Sequence, residues 1–74
     1  MRFKYDIGDL VTFQIPYADR TEHLTGMITF RDKAGYKTIR EHIQNAYYHI
    51  LLPSGETHYS QREDRLSLLA KANP

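Results

Sequence analysis

Apolar residues recur at every second position in short stretches of the chain, and turn-forming residues bound each stretch. Ile7, Val11, Phe13 and Ile15 share parity, which predicts a strand over about Leu10–Ile15, entered through Gly8-Asp9 and stopped by Pro16. The polar run from Tyr17 to Glu22 reads as a turn. A second strand is predicted over His23–Phe30, where Leu24, Gly26, Ile28 and Phe30 fall on one face. A glycine inside a strand marks a bulge, a bend or a close backbone approach. Ala46–Leu52 alternates most regularly, with Tyr48, Ile50 and Leu52 on one face and Tyr47, His49 and Leu51 on the other. Pro53-Ser54-Gly55-Glu56 supplies a tight turn with a glycine for positive φ, and Glu56–Ser60 returns as the partner strand. Counting outward from that turn sets Leu52 opposite Thr57, Leu51 opposite His58 and Ile50 opposite Tyr59. Tyr48 and Tyr59 then belong to the core, and His58 sits outside beside Leu51.

Two stretches are less regular. Residues 31–45 form the longest connection, opening with the turn-like Arg31-Asp32-Lys33-Ala34-Gly35. Thr38-Ile39-Arg40-Glu41 has the Thr-x-x-Glu spacing of a capping box, so this loop holds either a helical turn with Ile39 and Ile43 on one face or an irregular excursion. Ser60-Gln61-Arg62-Glu63 repeats the spacing and predicts one helical turn at about 61–64. Beyond it, Leu66 and Leu68 alternate as a strand, while helix propensity supports a helix over 61–72. We take the short turn and strand, because a last strand completes a sheet whose edge is otherwise open.

Composition sets bounds. The 74 residues allow one domain, 1–74, and a chain of this size buries only about 60–65% of its unfolded surface. Hydrophobic residues at 41% and charged residues at 26% are ordinary for a folded domain. The absence of cysteine excludes disulfides, thiolate zinc sites, iron–sulfur clusters and a cysteine nucleophile. It also fits a reducing, cytoplasmic setting. No apolar run approaches the roughly 20 residues of a membrane-spanning helix, and the N-terminal MRFKYDIGD lacks the apolar stretch of a signal peptide. Ten basic and nine acidic side chains leave a net charge of +1, which argues against charge-driven nucleic-acid binding.

Five short strands, with a long loop after the first and the second, a tight third hairpin and one helical turn before the last, resemble an SH3-like small β-barrel of the Tudor or KOW kind. The residues that carry the resemblance are Gly8-Asp9-Leu10-Val11, Gly26-Met27-Ile28, Tyr48-x-Ile50-x-Leu52, Gly55 and Glu63-x-x-Leu66, spanning about residues 5–69. The resemblance implies an all-β, five-stranded barrel closed by bent strands, with Gly26 at a bend. It also implies ligand binding on a rim lined by the long loops and the third and fourth strands. Barrels of this kind mostly bind proteins, RNA or DNA and are seldom enzymes; function remains a matter of the site.

Candidate chemistry follows from the tyrosines and the loop charges. Tyr17 in the first long loop, Tyr36 in the second and Tyr47 on the outward face of the third strand, with Leu51 beside Tyr47, form a candidate surface for a protein partner. The chain lacks the tryptophan and the paired tyrosine motif of proline-binding SH3 domains, and the spacing of its aromatics does not specify a methyl-lysine cage. Arg31, Lys33, Lys37 and Arg40 against Asp32 and Glu41 make residues 31–45 the one basic segment. With the tyrosines as stacking surfaces, these four are the candidate contacts for RNA or single-stranded DNA, the alternative reading. Leu10, Met27 and Leu51 on outward parity, joined by Leu69, suit a partner or self-association into a homo-oligomer. His23, His42, His49 and His58 do not supply three converging ligands, so no metal, no cofactor and no membrane partner is expected. Asp6, Asp9, Glu63 and Asp64 form no paired acid/base site by any sequence rule, and Asp9 is expected to satisfy backbone donors at a turn. No phosphate loop or nucleophile elbow is present. Plasmid-type dihydrofolate reductases, tetramers of a similar barrel, use a Val-Gln-Ile-Tyr run. Here the nearest stretch is Glu56-Thr57-His58-Tyr59, which lacks the glutamine and isoleucine. The chain therefore reads as a non-enzymatic interaction module, with a small oligomeric-barrel enzyme as the remote alternative.

Overall fold

The computed structural model describes residues 3–37 and 42–72, and at 34–37 and 42–44 it describes the backbone only. Five strands form: β1 Leu10–Pro16, β2 Thr21–Lys37, β3 His42–Leu51, β4 Thr57–Arg62 and β5 Ser67–Ala70. A 3-10 turn, Glu63–Arg65, precedes β5. Neighbouring strands are antiparallel throughout, in the order β4-β3-β2-β1-β5. The fold class is therefore all-β with five strands, and residues 67–70 are strand rather than helix. Among the described residues the sheet is not closed into a barrel: β4 pairs with β3 alone and β5 with β1 alone, leaving these two short strands as edges.

The sheet nevertheless doubles over on itself. In a flat sheet β1 and β4, three places apart, would stand about 14 Å from each other. Yet the rings of Phe13 in β1 and His58 in β4 meet edge to face at 5.5 Å. The inner face so enclosed carries the core of Val11, Phe13, Ile28, Ala46, Tyr48, Ile50 and Leu66, joined by Tyr5 from the N-terminal segment. Gly26 is needed here: a Cβ at this position would lie 2.6 Å from Ile50 Cγ2 and 2.7 Å from the Leu51 carbonyl oxygen. The glycine expected at a bend lets β3 lie this close to β2.

Three expectations change. Residues 31–45 are not a long loop: β2 and β3 continue as a hairpin through Asp32↔Tyr47 and Lys33↔Ala46 to Lys37↔His42. The helical turn expected at Thr38–Glu41 lies outside the described residues, as does Arg40, but the flanking segments are strand. Arg31-Asp32-Lys33-Ala34-Gly35 has poor strand propensity, and cross-strand pairing overrides it.

Second, Tyr59 is not in the core; it is 66% exposed. Gly55 N–H donates to the Leu52 carbonyl at 2.9 Å, Leu52 N–H donates to Glu56 at 2.8 Å, and Gly55 has φ 92°. The loop is thus the three residues 53–55, one shorter than expected, with glycine in the left-handed position that such loops require. Leu51 pairs with Thr57 and Ile50 with His58, so every side chain of β4 near the turn changes face. His58 turns inward onto Phe13, and Tyr59 turns out. A further bulge, with Ser60 at φ 53°, adjusts the pairing before Tyr48 meets Gln61.

Third, Phe30 does not share the face of Ile28. Ile28 pairs with Ile50 but Phe30 pairs with His49, so Thr29 is the extra residue of a β-bulge and parity inverts across it. Ile7 also lies outside the core, at 56% exposure, because it sits in the Asp6–Asp9 turn before the strand period begins. The helical turn falls at 63–65 without the expected capping box: its N-cap, Arg62, makes no side-chain cap bond.

Candidate functional site

The two register changes assemble a surface that parity alone does not show. Phe30 on β2, His49 on β3 and Tyr59 on β4 stand side by side on the outer face of the sheet. The Phe30 and His49 rings are tilted at 4.7 Å, and His49 meets Tyr59 edge to face at 4.9 Å. Both separations suit favourable aromatic contact. Phe30 is 47% exposed, and together with Tyr59 it presents on the order of 200 Å² to solvent. The next row of cross-strand neighbours is apolar: Leu10 opposite Met27 and Met27 opposite Leu51, with Leu10 and Met27 exposed. On the other side of the aromatic row, Asp32, Tyr47 and Arg62 pair in sequence. The outer face of β2–β4, with Leu10 of β1 beside it, is thus a continuous aromatic and aliphatic patch.

Of the residues expected to bind a protein partner, Tyr47 and Leu51 belong to this face. Tyr17 does not: it lies in the β1–β2 turn, at the far end of β2 from Phe30. There the Arg20 guanidinium stacks over its ring at 4.6 Å, and the Glu22 carboxylate beside it holds its hydroxyl above the usual phenol range. Tyr36 pairs with Ile43 in the backbone of the hairpin, and its side chain is outside the description. His49 stands on the outward face expected of it, but Phe30 and Tyr59 were missed because one bulge and one loop residue decide their faces. The turn at Gly55 was the available signal for Tyr59; for Phe30 the chain carries none.

Of the basic residues expected to contact nucleic acid, Arg31 and Lys33 pack against the N-terminal segment. Arg31 stacks over Phe3 at 4.6 Å, donates to the Tyr5 carbonyl at 2.9 Å and pairs with Asp6 at 3.0 Å. The Lys33 ammonium lies 5.1 Å over the same Phe3 ring. The backbone of Lys37 pairs with His42; its side chain is not described.

The acidic residues considered for catalysis also hold structure. Asp9 is fully buried, and its carboxylate accepts the backbone N–H of Ala72 at 2.6 Å and of Asp6 at 2.9 Å, with Lys71 at 3.1 Å. Burial pushes this carboxyl up, but the two N–H donors and Lys71 outweigh it and keep it below the ordinary carboxylate value. Asp6 binds Lys71 at 2.9 Å as well as Arg31, and both cations hold its carboxyl low. Glu63 accepts the Lys4 N–H at 3.0 Å and the Tyr48 hydroxyl at 2.5 Å. Burial first, and then this carboxylate, push the Tyr48 hydroxyl up to about 12. Tyr48 in turn accepts the Tyr5 N–H at 3.3 Å, and Tyr5 donates to the Leu66 carbonyl at 2.8 Å. These networks bind residues 4–9 to the 3-10 turn and to residues 71–72. His49 and His58, expected diagonally on the outer face of one hairpin, lie on opposite faces. Among the described residues no three His, Asp or Glu side chains converge as a metal site.

Comparison of the chain with protein-family models, with curated proteins and with solved structures finds no match.

Proposed function

We propose that the chain is a non-enzymatic, SH3-like interaction module that docks a protein partner on the outer face of β2–β4. The observation that carries this reading is the exposed Phe30–His49–Tyr59 row, continuous with Met27 and Leu51. Adjoining aromatic rings beside a thioether and aliphatic groups supply the desolvated centre that protein interfaces use. The order of strands, with β5 on β1 and one 3-10 turn before it, supports the SH3-like assignment. RNA or single-stranded DNA is the second reading, because exposed aromatics on a sheet also stack bases. The charges support it less. Arg62, the cation in the row beside the aromatics, holds Asp64 at 3.0 Å, and Arg31 is held by Asp6.

Selection of peptides from a random display library on the immobilised protein tests the reading. Enriched peptides are expected to lose at least tenfold in affinity against a Phe30→Ser, Tyr59→Ser double variant. Fluorescence anisotropy with labelled single-stranded RNA and DNA is expected to show no binding. Peptides indifferent to the double substitution refute the assigned face. Nucleic-acid binding that collapses between about 50 and 200 mM salt transfers the face to the second reading.

A further inference from the structure

A groove of about 350 Å³ crosses β5, β1 and the start of β2, away from the aromatic row. Its polar lining is Thr12, Gln14, Thr21, His23, Arg65 and Ser67. The sheet register itself gathers them: Thr12 pairs with Ser67, and Gln14 pairs with His23. Arg65 comes from the 3-10 turn. Among the described residues no carboxylate lines the groove. Arg65 also differs from the other described arginines: Arg20 holds Asp19 and Glu22, Arg31 holds Asp6 and Arg62 holds Asp64, whereas Arg65 has no carboxylate partner among the described residues. Its neighbours in sequence are already committed, Glu63 to Tyr48 and Lys4, and Asp64 to Arg62.

We propose that this groove is an oxyanion site for a phosphate or phosphate monoester. A guanidinium fork matches two phosphate oxygens, and such charge-assisted bonds are the strong ones. The hydroxyls of Thr12, Thr21 and Ser67, the Gln14 amide and the His23 ring add donors around the same space, so among the described residues an oxyanion meets donors and no carboxylate. The volume is at the small end of ligand pockets, which fits a phosphoryl group with a short attachment. This site is independent of the aromatic face and stands or falls apart from it.

The test is an NMR titration of the 15N-labelled protein at constant ionic strength, with inorganic phosphate and phenyl phosphate as probes and sodium chloride as the control. Saturable amide shifts confined to residues 12–14, 21–23 and 65–67 are expected. Arg65→Gln, an exposed substitution, is expected to weaken binding at least tenfold. Arg65→Lys is expected to fall between, since it keeps the charge but loses the fork. Saturation by inorganic phosphate identifies a free oxyanion as sufficient ligand. Saturation by phenyl phosphate alone identifies a phosphoryl group carried on a larger molecule. Absence of saturation with both probes, shifts scattered over other basic residues, or equal affinity in Arg65→Gln overturns the proposal.

Discussion

Replacing Asp9 by asparagine keeps the volume of the side chain and removes its charge. In the fold the carboxylate is 0% exposed and receives the N–H groups of Ala72 and Asp6 and the ammonium of Lys71. Asparagine offers one acceptor oxygen and turns its NH2 toward a donor. At least one charge-assisted bond is lost, about 1.5–3 kcal/mol, and a buried N–H is left without an acceptor. The combined loss is about 2–4 kcal/mol, against roughly 4–11 kcal/mol for a domain of 74 residues. The melting temperature should fall by about 10–25 °C. Urea unfolding followed by circular dichroism measures the loss as a lower midpoint with an unchanged slope. The folded chain favours the ionised form of Asp9, so its contribution is complete above the ordinary value of 3.8 and vanishes as pH falls through the lower folded value. As pH falls below the ordinary value of 3.8, the wild-type chain should therefore lose stability that Asp9→Asn has already lost, and the two should converge in acid. A loss below about 0.5 kcal/mol at neutral pH, the size of an ordinary surface substitution, would refute the assignment of Asp9 as the clamp between the chain's two ends.

Gly26→Ala should cost at least about 1–3 kcal/mol in the same unfolding assay, because the new methyl meets the Leu51 backbone as well as the Ile50 side chain; wild-type stability would show that β3 does not approach β2 this closely. Tyr48→Phe removes the hydroxyl shared by Glu63 and the Tyr5 N–H and should cost about 1–2 kcal/mol. In an ultraviolet pH titration, one tyrosine of the wild-type chain should ionise only near about 12, and that step should be missing from Tyr48→Phe. Since the neutral phenol is the form the fold favours, its contribution is present below the ordinary value of 10.0 and is lost as pH rises through the folded value. The Phe30→Ser, Tyr59→Ser variant should retain most of its stability, since both side chains are about half exposed or more, so any loss of peptide binding reports on the surface and not on unfolding.

Much of the sheet was legible from local pattern. Val11, Phe13, Ile28, Tyr48 and Ile50 are inside because a strand alternates with period two, and that period needs no knowledge of the partner strand. Pro16 and Gly55 likewise mark where β1 and the third hairpin end, through their own backbone preferences. The faces of Phe30 and Tyr59 were decided elsewhere. One extra residue at Thr29 and one residue fewer in the 53–55 loop each invert a strand, and such shifts depend on which pairing buries the most surface across the whole sheet. The pairing of residues 31–37 was hidden for the same reason, since their partner strand begins only at His42 and their own residues favour no strand. Tyr5 gains its role from Tyr48 and Leu66, and Asp9 from Ala72, between 43 and 63 residues away in the chain. The candidate surface and the groove are therefore products of tertiary structure: both are made of cross-strand neighbours, and register is a property of the folded sheet rather than of any one segment.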